Sequence, residues 1–131
     1  MTKRRYFYGK RYSSGDPLVD WIFRRFIQIL NERVRKIILK RRLKNDRGAL
    51  LDGRWDPETG VVELNPARYH PANHQRKDFD VLDAFIHELS HILFEPIKER
   101  NILQIEKILC EKLSELQKRV LRRFLPKDRS I

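Results

Sequence analysis

The sequence predicts one α+β domain, and three features carry that prediction. Apolar residues recur at spacings of three and four over three long stretches. Two short alternating runs flank a turn-rich pentapeptide between the first and second of these stretches. The chain, at 131 residues, has the length for one core and little more. The expected architecture is a long N-terminal helix, a small β-hairpin or sheet, and two further helices packed antiparallel on each other.

Residues 1–15 are basic, aromatic and without a period, and are expected to form a flexible arm, or a strand that docks late, ahead of a single domain at 16–131. Asp16-Pro17 then opens a helix, because Asp caps an N-terminus and Pro fits the first helical position. Leu18, Val19, Ile22, Phe26, Ile29, Leu30, Val34, Ile37 and Ile38 mark its apolar side, which predicts a helix over roughly 17–44. Strands are expected at Leu50 to Trp55 and Val61 to Asn65, joined as a hairpin through Asp56-Pro57-Glu58-Thr59-Gly60. A polar loop follows to Lys77. The second helix, about 79–95, is capped by Asp78 or Asp80 and carries Leu82, Phe85, Ile86, Leu89 and Leu93. Pro96 interrupts it, and a last helix is expected over about 97–125 with Ile102, Ile105, Leu109, Leu113, Leu116, Val120 and Phe124 on one side. Trp21 and Trp55 are expected in the core.

Composition excludes several classes. Five glycines and six prolines rule out a collagen-like or linker-type chain, and no uncharged apolar run is long enough to span a bilayer. The basic start lacks the apolar run of a signal peptide, so a cytoplasmic location is expected. A single cysteine, Cys110, forbids an intrachain disulfide, which suits a reducing compartment. The net charge of +11 is uneven. Residues 1–47 hold 15 Lys/Arg against 4 Asp/Glu, which accounts for all of it, and the remainder is balanced at 14 against 14. A basic stretch spanning residues 3–47 can attract nucleic acid, anionic lipid or an acidic protein; the same residues also make an ordinary solvated face.

The chemistry-bearing segment is His87-Glu88-Leu89-Ser90-His91, an H-E-x-x-H sequence. On a helix, residues four apart share a face one turn apart, so two imidazoles can grip one zinc ion while the intervening glutamate takes a proton from zinc-activated water. That assigns His87 and His91 as metal ligands and Glu88 as the catalytic base. A catalytic zinc takes three protein ligands and an open position. No histidine follows His91, so the third is a downstream carboxylate or the upstream His70 or His74. On a helical wheel with Ile102 as origin, Glu106 falls about 40° away, within the apolar stripe, whereas Glu111 falls near 180°. A carboxylate on a buried face needs a partner, and a cation is one. An antiparallel hairpin turning near residue 97 also puts Glu106 level with the histidine pair. Glu106 is therefore the expected third ligand, with Glu99, Glu111 and the upstream histidines as alternatives.

With these residues in place, the chain resembles the gluzincin zinc metallopeptidases. The likeness covers about residues 50–120, and the size resembles the minigluzincins and the small peptidase-like proteins of phages and archaeal viruses. The family often sets its ligand glutamate in E-x-x-A-N or E-x-x-x-D; here Cys110 stands where the acid or amide would be. The resemblance implies a minimal zincin fold, Zn2+ on His87, His91 and Glu106, Glu88 as base, and a peptide or protein substrate. It also implies an edge strand above the cleft that pairs with extended peptide, for which Val61 to Asn65 is the candidate. SprT-like proteases, a DNA-associated alternative, resemble a pattern with a downstream third histidine that this chain lacks.

The remaining candidates carry less. Tyr69, His70 and His74 are candidate oxyanion stabilisers, though nothing fixes them relative to the metal. Asp83, one turn before His87, is a candidate to orient its ring. Cys110 reads as a packed small side chain. The competing function is nucleic-acid binding through the basic third, with a structural or vestigial metal site.

Overall fold

The structure, a computed structural model, describes residues 10–49, 51–66 and 80–126. It is mixed α+β. Among the described residues, four helices surround a three-stranded sheet: α1 (Pro17–Glu32), β1 (Lys36–Leu39), β2 (Gly53–Asp56), β3 (Val61–Leu64), α2 (Val81–Leu93), α3 (Glu99–Lys112) and α4 (Glu115–Arg122), after a 3-10 turn at Lys10–Tyr12. No helix among these residues is long and apolar enough to cross a membrane.

α1 starts as its sequence dictates. The Asp16 carboxylate accepts from the backbone N–H groups of Leu18 and Val19 at 2.9 and 3.3 Å, and Pro17 occupies the first turn. Val19, Ile22, Phe23, Phe26, Ile27, Ile29 and Leu30 are buried along one side. Trp21, expected in the core, is 44% exposed; it shares the three-and-four spacing of the wet face with Leu18 and Arg25. Trp55 packs against the core, half-buried.

The first helix ends twelve residues short of its expected limit at 44, and Lys36–Leu39 forms a strand instead. Val34, Ile37 and Ile38 satisfy a helical period, but a short apolar run fits a strand equally well, and β-branched side chains favour the strand. Pairing decides it: β1 runs parallel to β3 with Ile37 opposite Val62 and Leu39 opposite Leu64. β2 and β3 form the expected hairpin, antiparallel, with Trp55 opposite Val62 and a turn closed by Gly60 at φ +72°. A Cβ at Gly60 would lie 2.9 Å from Arg35 Cγ and 3.0 Å from the Arg33 carbonyl, so the turn needs glycine on both counts.

The strand order is β1-β3-β2. β3 is therefore central, with both of its hydrogen-bonding edges taken, and Val61 to Asn65 is not the free edge that was expected. Among the described residues, the edge strands are β1 and β2. β3 became the centre because β1, read as helix in the sequence, supplied a third strand.

α2 is capped by Asp80, whose carboxylate accepts from Leu82 N–H at 2.9 Å and is also held by Arg122 of α4. It packs on α1, on the inner face of β2 and β3, and most extensively on α3. The Glu95–Pro96 bond in the turn between α2 and α3 is cis. The expected single C-terminal helix is two. α3 stops at Lys112, Leu113 is extended and buried, and Ser114 starts α4 with a capping box: its hydroxyl accepts from Gln117 N–H at 3.1 Å and the Gln117 side-chain oxygen accepts from Ser114 N–H at 2.9 Å. The S-x-x-Q spacing was the sequence signal for this break.

Residues 13–14 are tied down through Asp20. Its carboxylate accepts from the Ser13 and Ser14 hydroxyls, each at 2.8 Å, and from the Gln117 amide at 2.9 Å. Burial opposes its charge, but these hydrogen bonds prevail and hold its pKa down at about 2. Gln117 also donates to the Tyr12 carbonyl at 2.7 Å, so α4 clasps the chain where it enters α1. Residues 1–9 of the expected arm lie outside the described residues.

Candidate metal centre

α2 and α3 run antiparallel, as three side-chain contacts show. Asp83 meets Cys110, His87 meets Glu106, and His91 meets Glu99, so residues later on α2 meet residues earlier on α3. The seam between them holds the H-E-x-x-H residues.

His87 and His91 project from one face of α2 with their Nε2 atoms 3.1 Å apart and their rings edge to face. Glu99, in the first turn of α3, lies across both: one carboxylate oxygen is 2.7 Å from His87 Nε2 and the other is 2.7 Å from His91 Nε2. Two nitrogens and a carboxylate oxygen, all within 4.8 Å of one another, form a donor set able to hold a metal ion. Separations near 3 Å are those of neighbouring corners around an ion with bonds of about 2.0–2.2 Å, and the N/N/O chemistry suits zinc.

Glu106, the expected third ligand, sits elsewhere. Its carboxylate is 3.0 Å from Nδ1 of His87, on the far side of the ring from the Nε2 atoms, and only 15% of the side chain is exposed. The hairpin level inferred from sequence is the level of His87, but Glu106 meets the back of that imidazole. Glu99 reaches its front from about two turns nearer the connection. Counting rise per residue treats side chains as projecting at right angles, whereas both imidazole and glutamate lean several ångströms along the axis. Glu111 is exposed and takes no part in the donor set.

Glu88, beside His87 on α2, reaches the sheet. It is 8% exposed, and its side chain lies over Gly53 of β2, where an added Cβ would stand 2.9 Å from Glu88 Cγ and 3.0 Å from Oε1. Burial pushes its pKa up to about 7; the charges of Glu99, Asp52 and Glu106 act the same way, and His87 opposes them. For His87, burial favours the neutral ring, but the hydrogen bond to Glu106 and the surrounding carboxylates outweigh it and raise the pKa. Three carboxylates around two imidazoles make a site that attracts cations within a chain whose formal charge is +11.

Gly53 is a position that sequence reading missed. An isolated glycine in a strand marks a close approach, and here it admits the catalytic candidate. The segment bearing it is pinned by buried Asn65, whose amide donates to the Leu51 carbonyl at 3.2 Å and whose N–H donates to the Asp52 carbonyl at 2.8 Å. Gly53→Ala should therefore cost about 1–3 kcal/mol, the usual penalty for overpacking, because Leu64 Cδ2 at 3.1 Å blocks the other direction. Urea unfolding measures it; an unchanged midpoint would mean that the strand yields.

Asp83 accepts from the Cys110 thiol at 3.2 Å, and the acceptor facing Nδ1 of His87 is Glu106. Burial, with Asp83 adding to it, pushes the Cys110 pKa up to about 12, so this thiol is packed and unreactive at neutral pH. Tyr69, His70 and His74 lie outside the described residues.

No family model, curated protein or solved structure matches this chain.

Proposed function

We propose that this chain is a zinc-dependent peptidase-like hydrolase with a minimal zincin arrangement: a small sheet, an H-E-x-x-H helix, and a glutamate helix antiparallel to it. The observation that carries the reading is Glu99 bridging two Nε2 atoms 3.1 Å apart, one residue from a buried glutamate with a raised pKa. His87, His91 and Glu99 would hold the ion. A bound zinc supplies a Lewis acid for a carbonyl and lowers the pKa of water.

The chain's own residues do the rest. Glu106 accepts from Nδ1–H of His87, the tautomer that leaves the Nε2 lone pair available to a cation, and it fixes the plane of the ring. Glu88 accepts a proton at its carboxylate and returns it to the leaving amine, and its burial favours the protonated form that makes the return. Gly53 gives that carboxylate room. The edge of β2 that no described strand pairs with, on the strand that Glu88 touches, is where an extended peptide would add by main-chain hydrogen bonds.

Metal loading tests this reading. With zinc at about 1,000 times its Kd, the melting temperature should rise by about 10–20 °C, and a generic peptide mixture should be cleaved only by the loaded protein. A protein that takes up no zinc, or that gains neither stability nor hydrolysis from it, would refute the proposal.

A further inference from the structure

The excess positive charge is concentrated on a surface distinct from the metal centre. Between residues 33 and 47 there are eight Lys/Arg and one acid, Asp46. All eight are exposed. The fold displays them in an ordered way. Ile37 and Leu39 of β1 face the core, so the strand's alternation turns Lys36 and Lys40 to the outer face of the sheet. The loop that follows is anchored by Leu43, which is fully buried, with the Leu43 carbonyl accepting from Leu51 N–H at 2.8 Å. Its tip is closed by Asn45, whose side-chain oxygen accepts from Arg47 and Ala49 N–H at 2.9 and 3.0 Å. Arg41, Arg42, Lys44 and Arg47 thus project from a hydrogen-bonded frame. Of the acids on the outer face, Glu63 is taken by Arg54 Nε at 3.0 Å and lies 3.9 Å from Lys40, and Asp56 stands on the far strand.

We infer that this surface binds the phosphodiester backbone of nucleic acid. The charge density has the right sign, and a pre-ordered frame spares part of the entropy that flexible cations lose on binding. Two observations favour nucleic acid over an anionic bilayer and backbone over base contacts. Among the described residues the large exposed apolar side chains, Leu18, Trp21, Ile97, Leu103 and Ile108, all lie on α1, α3 or the connection before α3, so none of them gives the basic surface an apolar wedge for a membrane. It offers no exposed aromatic ring among the described residues either, since Trp55 is half-buried with Arg33 6.0 Å above it. Without a stacking platform, recognition rests on phosphates and is tolerant of sequence. The inference is independent of the zinc reading, because Lys36 and Lys40 turn to the face of the sheet opposite the one that α2 covers, whereas the metal donors lie in the seam between α2 and α3.

Fluorescence anisotropy with a labelled 20-base-pair DNA duplex, about as long as a small-domain footprint requires, tests it on the full chain. If about four phosphates are engaged, affinity should fall about 100-fold between about 50 and 200 mM salt. The variant K36A/R42A/K44A/R47A should lose most of the binding and flatten the salt slope by about one unit per cation removed. Its zinc uptake and melting temperature should match the parent. K107A/R119A, which removes exposed cations from α3 and α4, should bind as the parent does. Undetectable duplex binding would overturn the inference. So would equal loss in both variants, or tighter binding to phosphatidylserine vesicles than to the duplex.

Discussion

Glu99→Ala should cost more zinc affinity than any substitution at Glu106. Glu99 is the carboxylate in contact with both Nε2 atoms, at 2.7 Å each, whereas Glu106 touches only Nδ1 of His87. Losing the outer partner of a ligating histidine typically lowers affinity by about 10–100-fold, which is the expectation for Glu106→Gln. Removing a ligand should exceed that range. Stability of the metal-free protein orders the two the other way. Glu99 is 59% exposed and contributes little to the fold, while Glu106 is 15% exposed, so Glu106→Ala, unlike Glu106→Gln, which keeps an acceptor oxygen, leaves a half-buried imidazole unpartnered at Nδ1. Competition titration with a chromophoric chelator, alongside urea unfolding without metal, reads both quantities. If Glu106→Gln abolished zinc binding and Glu99→Ala left it intact, the assignment of the two glutamates would be reversed.

Glu88→Gln should abolish hydrolysis while leaving zinc in place. The amide keeps the shape over Gly53 but cannot accept and return a proton, so turnover should fall by at least about 100–10,000-fold. The same substitution has a signature without metal or substrate. Burial raises the Glu88 pKa from 4.5 to about 7, so between those values the folded protein holds a proton that the unfolded chain has released. The contribution of Glu88 to the stability of the metal-free protein is therefore full below the unfolded value and is lost as pH rises through 7, by about 3 kcal/mol in all. In Glu88→Gln that decline should disappear. Denaturant titrations at a series of pH values measure it. A variant that keeps parental hydrolysis would remove Glu88 from the chemistry, and an unchanged pH slope would place the titrating group elsewhere.

The pattern of what could and could not be read is physical. α2 was legible as a helix, with its cap and the placing of His87 and His91 on one face, because capping, apolar period and the H-E-x-x-H spacing are all local. The hairpin was legible because a turn-forming pentapeptide separates two alternating runs. β1 was not, because Val34, Ile37 and Ile38 fit two periods and only pairing with Val62 and Leu64 chose between them. That one missed strand also put β3 at the centre of the sheet, leaving β1 and β2 as the edge strands among the described residues. The break at Leu113-Ser114 was written in the capping box but was outweighed by an apolar stripe that continues through it.

Local spacing thus determined which residues can carry the chemistry: His87, Glu88 and His91 on one short helix, a glutamate downstream, and a basic first third. Tertiary structure decided which glutamate faces the Nε2 atoms, which strand lies over Glu88, and where the cations point. The reason is one of range. Positions within a helical turn are fixed by backbone geometry, whereas the meeting of side chains across two helices depends on how far each leans along its axis, and that is set only once the elements pack.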